Sequence, residues 1–385
     1  MNVSKSSLFA VYFTVFIDIL GFSIILPMLP YYAQHFGANG TQVGMLLTSY
    51  SLAQFIGAII LGRLSDRFGR RPVLLSCLIG SALSFLLLAS AQSLFMIFLA
   101  RSLAGLFGGA IATAQAYISD VTDKKERTKY MGFLGACIGS AFVFGPAIGA
   151  VLMSWGFAFV SYFSALICGL NFVLSYFRVK ESHHDRSERA HLNWKKVQEI
   201  FKRPSLGLLL LTLFASMTAF VSMEATYAIM AKLRYGIDAK EMGIILSICG
   251  VVMVVVQGGL VNKLSKSIGE KFTGMLGISL IAFTLFVLPF APTILWSTFI
   301  LALMSFGQGM TNPVIYSLLS HSTTGEDKGA VMGLGQSLGA LARALGPLIG
   351  GWCFDQVYYL SYLVAGVITL VALFFLSRVK KVKYH

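Results

Sequence analysis

Charge is scarce in this chain, and acid is scarcer than base. Of 385 residues only 12% are charged, with 16 Asp or Glu against 30 Lys or Arg. A water-facing globule carries roughly 25% charged residues, so the composition excludes one. Ten-residue alternating segments are absent, which excludes a membrane β-barrel. The five cysteines (Cys77, Cys137, Cys168, Cys249, Cys353) show no CxxC or Cys/His spacing, so neither a disulfide framework nor a zinc site is indicated. No Gly-x-x-x-x-Gly-Lys-Ser/Thr loop occurs, so ATP is not the direct energy source. No Ser-His-Asp arrangement or acid pair outside the apolar runs suggests an enzyme, and no cofactor or metal is implied.

What the chain has instead is hydrophobic length: 56% of residues are apolar. They gather in runs of about 20 residues, the span of a ~30 Å hydrocarbon core. Twelve spans are predicted. The first six are 8–30, 43–62, 73–91, 94–118, 129–152 and 157–177. The second six are 205–230, 242–261, 273–291, 294–317, 328–352 and 357–377. The first run is too long for a signal-peptide core and is read as a span. With the N-terminus inside, 25 basic residues fall on one side of the membrane and three, Lys232, Arg234 and Lys240, on the other. That bias predicts both termini in the cytoplasm. The net charge of +14 is thus a topology signal with some attraction to anionic lipid, and nucleic acid is not an expected partner.

The run Gly62-Arg-Leu-Ser-Asp-Arg-Phe-Gly-Arg-Arg71 is echoed 200 positions later by Asn262-Lys-Leu-Ser-Lys-Ser-Ile-Gly-Glu-Lys271. Span 5 holds Gly135-x-x-x-Gly139 and Gly145-Pro146-x-x-Gly149. Span 11 holds Gly335-x-x-x-Gly339 and Gly346-Pro347-x-x-Gly350. The expected organisation is an all-α membrane protein of two six-helix pseudo-repeats, 1–177 and 205–385, joined by a cytoplasmic linker, 178–204. Such parallel repeats point to a transporter with its site between the halves. In the linker, Trp194, Val197, Ile200 and Phe201 recur at helical spacing, which fits a short amphipathic helix on the membrane as well as a solvated connector. His183, His184 and His191 lack the pattern of a metal site.

Ionisable residues inside spans are costly in lipid and mark function by default. Four occur: Asp18, Arg101, Glu224 and Arg343. Burial favours the neutral form of an acid and a nearby cation the ionised form, a balance that suits a proton carrier. Asp18 and Glu224 are therefore read as proton or substrate sites, with a fixed ion pair as the alternative. Arg101 opens a stripe with Gly105, Gly108, Ala112, Gln115 and Ser119, and is expected to pair switchably with Asp18. Arg343, Gln308, Asn312, Tyr316, Tyr50, Gln54, Gln115 and Tyr117 are candidates to line a substrate cavity, with interhelical hydrogen bonding the plainer alternative. The Gly-Pro pairs serve close packing and bending.

The loop 62–71 resembles the signature loop of the major facilitator superfamily. Asp18-x-x-Gly21 with Pro27 and Pro30, Arg101-x-x-x-Gly105, and Gly135-x-x-x-Gly139 with Gly145-Pro146-x-x-Gly149 resemble motifs of its drug/proton antiporter branch, especially the tetracycline and multidrug antiporters. The resemblance implies a cytoplasmic gate in which Asp66 meets Arg70 and the start of helix 11, with Asp120 joining the relay and Gly62, Arg67 and Gly69 shaping the loop. It implies that Asp18 is a proton site partnered by Arg101. Glu224 is similar to an acid on helix 7 of some relatives. One departure matters: spans 73–91 and 273–291 lack the acids that tetracycline carriers place in helices 3 and 9, so a metal-chelated tetracycline is not the expected substrate. The expectation is a monomeric, proton-coupled exporter of small amphipathic molecules in a bacterial inner membrane, giving drug resistance. Uptake of a metabolite by symport or facilitation is the alternative, and a membrane receptor that does not transport is a third reading.

Overall fold

The computed structural model describes residues 5–122, 126–182, 194–323 and 327–379. Among them the fold is all helical. In chain order the helices are α1 (Lys5–Ile25), α2 (Leu29–His35), α3 (Gly40–Phe68), α4 (Arg70–Ala89), α5 (Leu94–Leu106), α6 (Ala110–Val121), α7 (Arg127–Leu152) and α8 (Phe157–Arg178). There follow α9 (Trp194–Lys202), α10 (Pro204–Tyr235), α11 (Ala239–Val255), α12 (Val261–Ile268), α13 (Glu270–Val287), α14 (Ile294–His321), α15 (Asp327–Gln356) and α16 (Leu360–Arg378).

Eleven helices among the described residues are long and apolar enough to cross a membrane. The remaining predicted span, 328–352, falls within the 30-residue helix α15. Its glycines, Gln336, Ser337 and Arg343 dilute its apolar character below that of the others. Large apolar side chains such as Phe95, Phe177 and Leu295 lie on the outside, which suits lipid rather than water.

The predicted prolines act at the end of α1. The helix stops at Ile25 and restarts at Leu29, with Pro30 in the first turn of α2, where a missing N–H costs nothing. Local structure recurs at the offset seen in the sequence. Ser93 and Thr293 each cap a helix by accepting from the amide three residues on. Asn39 with Gln42 and Asp238 with Glu241 form reciprocal capping boxes, each satisfying two end groups of a helix. Gly69 and Gly269 both turn the chain at positive φ, 105° and 85°, conformations that a side chain would strain.

The chain forms two compact units. Unit 1 comprises 1–38, 49–188 and 238–247. Unit 2 comprises 39–48, 189–237 and 248–385. The first turns of α3 count with unit 2 because they lie against α15. A Cβ on Gly44 would strike the carbonyl of Pro347, and Thr48 Oγ1 donates to the carbonyl of Ala344 at 2.6 Å. Asp355 accepts from the amides of Gly40 and Thr41 and from the Thr41 hydroxyl, at 2.7, 2.8 and 2.5 Å. The start of α11 counts with unit 1 in the same way, Gly243 lying against Pro146 and Ala150 of α7.

The second Gly-Pro-x-x-Gly element of each repeat packs closely. Gly145 and Gly149 meet Ser23 and Ile24, while Gly346 and Gly350 meet Thr218 and Ser222. Gly135 has open space around it instead. In the linker, residues 183–193 and the three histidines lie outside the described residues. The expected helix is present as α9, and its Ile200 joins the apolar core of unit 2, while Phe201 is exposed.

Candidate functional site

Unit 1 holds a small cavity of about 20 Å³, lined by Asp18, Phe22, Tyr50, Gln54, Ser81, Arg101 and Gly108 among others. That is room for a water molecule or a similarly small group. Four helices supply the polar lining. Asp18 comes from α1, Tyr50 and Gln54 from successive turns of α3, Ser81 from α4 and Arg101 from α5. Gly105, one turn after Arg101, lets α5 approach α3 until a Cβ there would clash with the backbone of Tyr50.

The expected Asp18–Arg101 ion pair is not formed. Asp18 Oδ1 accepts instead from Ser81 Oγ at 2.7 Å. Arg101, 2% exposed, stacks its guanidinium over the rings of Tyr50 and Phe22, 4.3 and 5.2 Å from their centroids. Stacking of this kind recovers part of the cost of burying a cation, and Arg101 Nε has no hydrogen-bond partner. Opposite charges thus share one cavity while each is held by a different neighbour.

The sequence did not foretell the break between α5 and α6. The predicted continuous span 94–118 is interrupted at 107–109, where Gly108 and Gly109 follow Phe107. The freed carbonyl of Gly108 accepts from Gln54 Nε2 at 3.3 Å, and the same amide donates to the Tyr50 hydroxyl at 3.2 Å. Irregular backbone inside a membrane is tolerated where protein or a cavity satisfies it. The Gly-Gly pair was the available signal. Of the cavity candidates beyond the break, Gln115 is exposed and Tyr117 is fully buried in the core; neither lines this cavity. A π turn, Val256–Leu260, interrupts the α11–α12 helix around Gly258 and Gly259 and was likewise unforeseen.

Unit 2 gathers the other predicted polar residues. Arg343 lies within electrostatic reach of Glu224 and of the Tyr316 hydroxyl. A Cβ on Gly339 would stand 3.4 Å from Met217 Sδ, 3.8 Å from Arg343 Nη1 and 4.0 Å from Tyr316 Oη. Gln308 and Asn312 lie two turns and one turn before Tyr316 on α14.

The loop cluster forms around Arg70. Its guanidinium donates to Asp66 at 2.5 Å, Asp120 at 2.9 Å and Ser65 at 2.9 Å. Arg67 stacks on Phe68, and Gly62 has open space around it. A residue that sequence reasoning missed, Glu181, accepts from the amides of Arg70 and Arg71 at 2.8 and 3.1 Å, capping α4 at the end where its dipole favours an anion. The second-repeat counterpart is inverted in sign. Glu270 stands where Arg70 does, accepts from Ser317 at 2.8 Å, and lies 3.8 Å from His321 Nε2.

Long apolar helices around a buried polar cavity define an integral membrane protein. The family model for the Major Facilitator Superfamily matches residues 11–347 and 302–385. The chain is 30% identical to the class C tetracycline resistance protein of Escherichia coli over 90% of its length and 89% of the relative's. It is 26% identical to multidrug resistance protein 2 of Bacillus subtilis over 97% and 95%. Among solved structures, an inward-facing, occupied bacterial homolog of the human lysosomal transporter Spinster superposes with a TM-score of 0.82 at 13% identity, covering 99% of this chain and 98% of that one. The human organic anion transporter MFSD10 superposes at 0.73 with 22% identity, over 97% and 99%. The chain belongs to the major facilitator superfamily. It is a multi-pass transporter of small molecules in the bacterial inner membrane, and not an enzyme.

Proposed function

We propose that the protein is a proton-coupled secondary transporter that exports small amphipathic molecules by alternating access. Two six-helix repeats, 1–177 and 205–385, rock about a site near mid-bilayer, joined by the linker 178–204. In this reading an even count of twelve spans puts both termini on one face, the basic bias of that face assigns it to the cytoplasm, and the cluster of Gly62, Asp66, Arg67, Gly69, Arg70 and Asp120 forms the gate there.

The observation that carries this reading is the unpaired disposition of Asp18 and Arg101 within one cavity. A permanent ion pair would be a structural brace. Ser81 can donate to an ionised carboxylate or accept from a protonated one, so the site can hold Asp18 in both states. Arg101 stands by as the counter-charge. Glu224, near Arg343, is a second proton site in this scheme, and the similarity to tetracycline and multidrug resistance proteins supports export.

The test is transport into inside-out vesicles, driven by an imposed pH gradient and read with a panel of amphipathic dyes. Wild type accumulates at least one dye. Asp18→Asn falls to background under the gradient while still exchanging dye for dye. Gradient-driven accumulation that survives the substitution unchanged removes the proton role, and movement in the opposite sense replaces export by uptake.

A further inference from the structure

Two amides on α14 are polar groups that neither the helical fold nor the cavity in unit 1 uses. Gln308 is 3% exposed, yet its Oε1 has no protein partner, and neither does Oδ1 of Asn312 one turn on. An unpaired buried amide is destabilising, so its retention calls for a role.

Its position is fixed by its neighbours. The hydroxyls of Tyr227 on α10 and Ser297 on α14 lie 3.0 Å apart, which identifies the α14 face that meets α10. Ser297, Leu301, Met304 and Gln308 follow at steps of four, three and four residues, one stripe of a helix, and all four are buried. Asn312 and Tyr316 extend the polar part of that side. Tyr316 ends beside Gly339, Met217 and Arg343. One turn before Tyr227, α10 carries the half-buried acid Glu224. Unit 2 therefore offers acceptor oxygens and the thioether of Met217, with the acid Glu224 and the cation Arg343 within electrostatic reach of each other. The unpartnered oxygens are the complement of an amphipathic molecule bearing N–H groups.

We propose that Gln308 and Asn312 are a specificity-determining acceptor pair that takes the N–H groups of primary and secondary ammonium substrates and discriminates against quaternary ones. The inference rests on the transport reading for its substrate. It differs from a preference for cations in general, because a quaternary ammonium has the same charge and no donor. Sites built to hydrogen-bond a group reject analogues lacking it far more strongly than apolar pockets reject a change of size.

The test is equilibrium binding to the purified full-length protein, so it does not depend on coupling or direction. The probes are a fluorescent aryl-alkyl primary amine and its N-trimethyl analogue. Wild type is expected to bind the amine at least tenfold more tightly. Gln308→Met, close in shape and without the acceptor, brings the two affinities within twofold and leaves the trimethyl affinity unchanged. Because Gln308 has no protein partner to orphan, the same variant should melt at an equal or higher temperature than wild type. Asn312→Leu provides the second variant. Equal affinities in wild type, unaltered discrimination in both folded variants, or binding of neither probe overturns the proposal. Tenfold discrimination without any vesicle transport upholds the acceptor pair and removes the transport reading instead.

Discussion

Arg70 shows how much one side chain holds at the residue scale. It is almost wholly buried, and its fork reaches two carboxylates and a hydroxyl. Arg70→Met leaves Asp66 and Asp120 without their shared cation. Uncompensated charges of this kind cost about 3–5 kcal/mol when fully buried; with Asp66 38% exposed, about 2–3 kcal/mol is expected here, read from the midpoint of denaturant unfolding in detergent. Arg70→Lys should restore less than half, because an ammonium lacks the planar fork that meets both partners. A midpoint unchanged in Arg70→Met would mean the cluster is ornamental, and one unchanged in Arg70→Lys that the planar fork is not needed. The identity of these charged residues was legible in the sequence, because the loop is short and the charges stand out in an apolar chain. The Ser81 partner of Asp18 was not. A serine in an apolar run carries no sign of which helix it will face, whereas the charge of Arg101 stands out in such a run.

At the scale of the element, the first turn of α3 is held by more than its own capping box. Asp355 takes three hydrogen bonds from residues 315 and 314 positions away in sequence, and its charge complements the positive end of the helix dipole. Asp355→Ala should cost about 1–2 kcal/mol, the worth of a good N-cap. Amide exchange at Gly40 and Thr41 should rise by at least fivefold while exchange in the middle of α3 stays as it was. Uniformly unchanged exchange would show that the capping box alone suffices. Helices were the most legible feature of this sequence, since span length and the Gly-Pro positions follow from the bilayer and from backbone chemistry. Interruptions were less so. The α5–α6 break and the π turn both fall at Gly-Gly pairs inside runs that remain apolar throughout, so hydropathy carried no trace of them.

At the scale of the whole molecule, each unit contains one membrane-embedded acid, Asp18 in the first and Glu224 in the second. If both carry protons, Glu224→Gln should keep gradient-driven transport but lower the number of protons moved per substrate. Simultaneous recording of dye flux and proton flux measures that ratio, and an unaltered ratio assigns Glu224 to the substrate or to packing. The 200-residue echo led to the expectation of two repeats; the bounds of the compact units were not legible, because the segments around Gly44 and Gly243 pack against α15 and α7 respectively. The echo also hides a reversal. Arg70 and Glu270 occupy matching places beside matching glycines, yet one is a cation gripped by two acids and the other an acid beside a hydroxyl and an imidazole. Matching backbone turns at Gly69 and Gly269 thus carry different chemistry: one holds a buried cation between two acids, the other an acid that accepts from a serine.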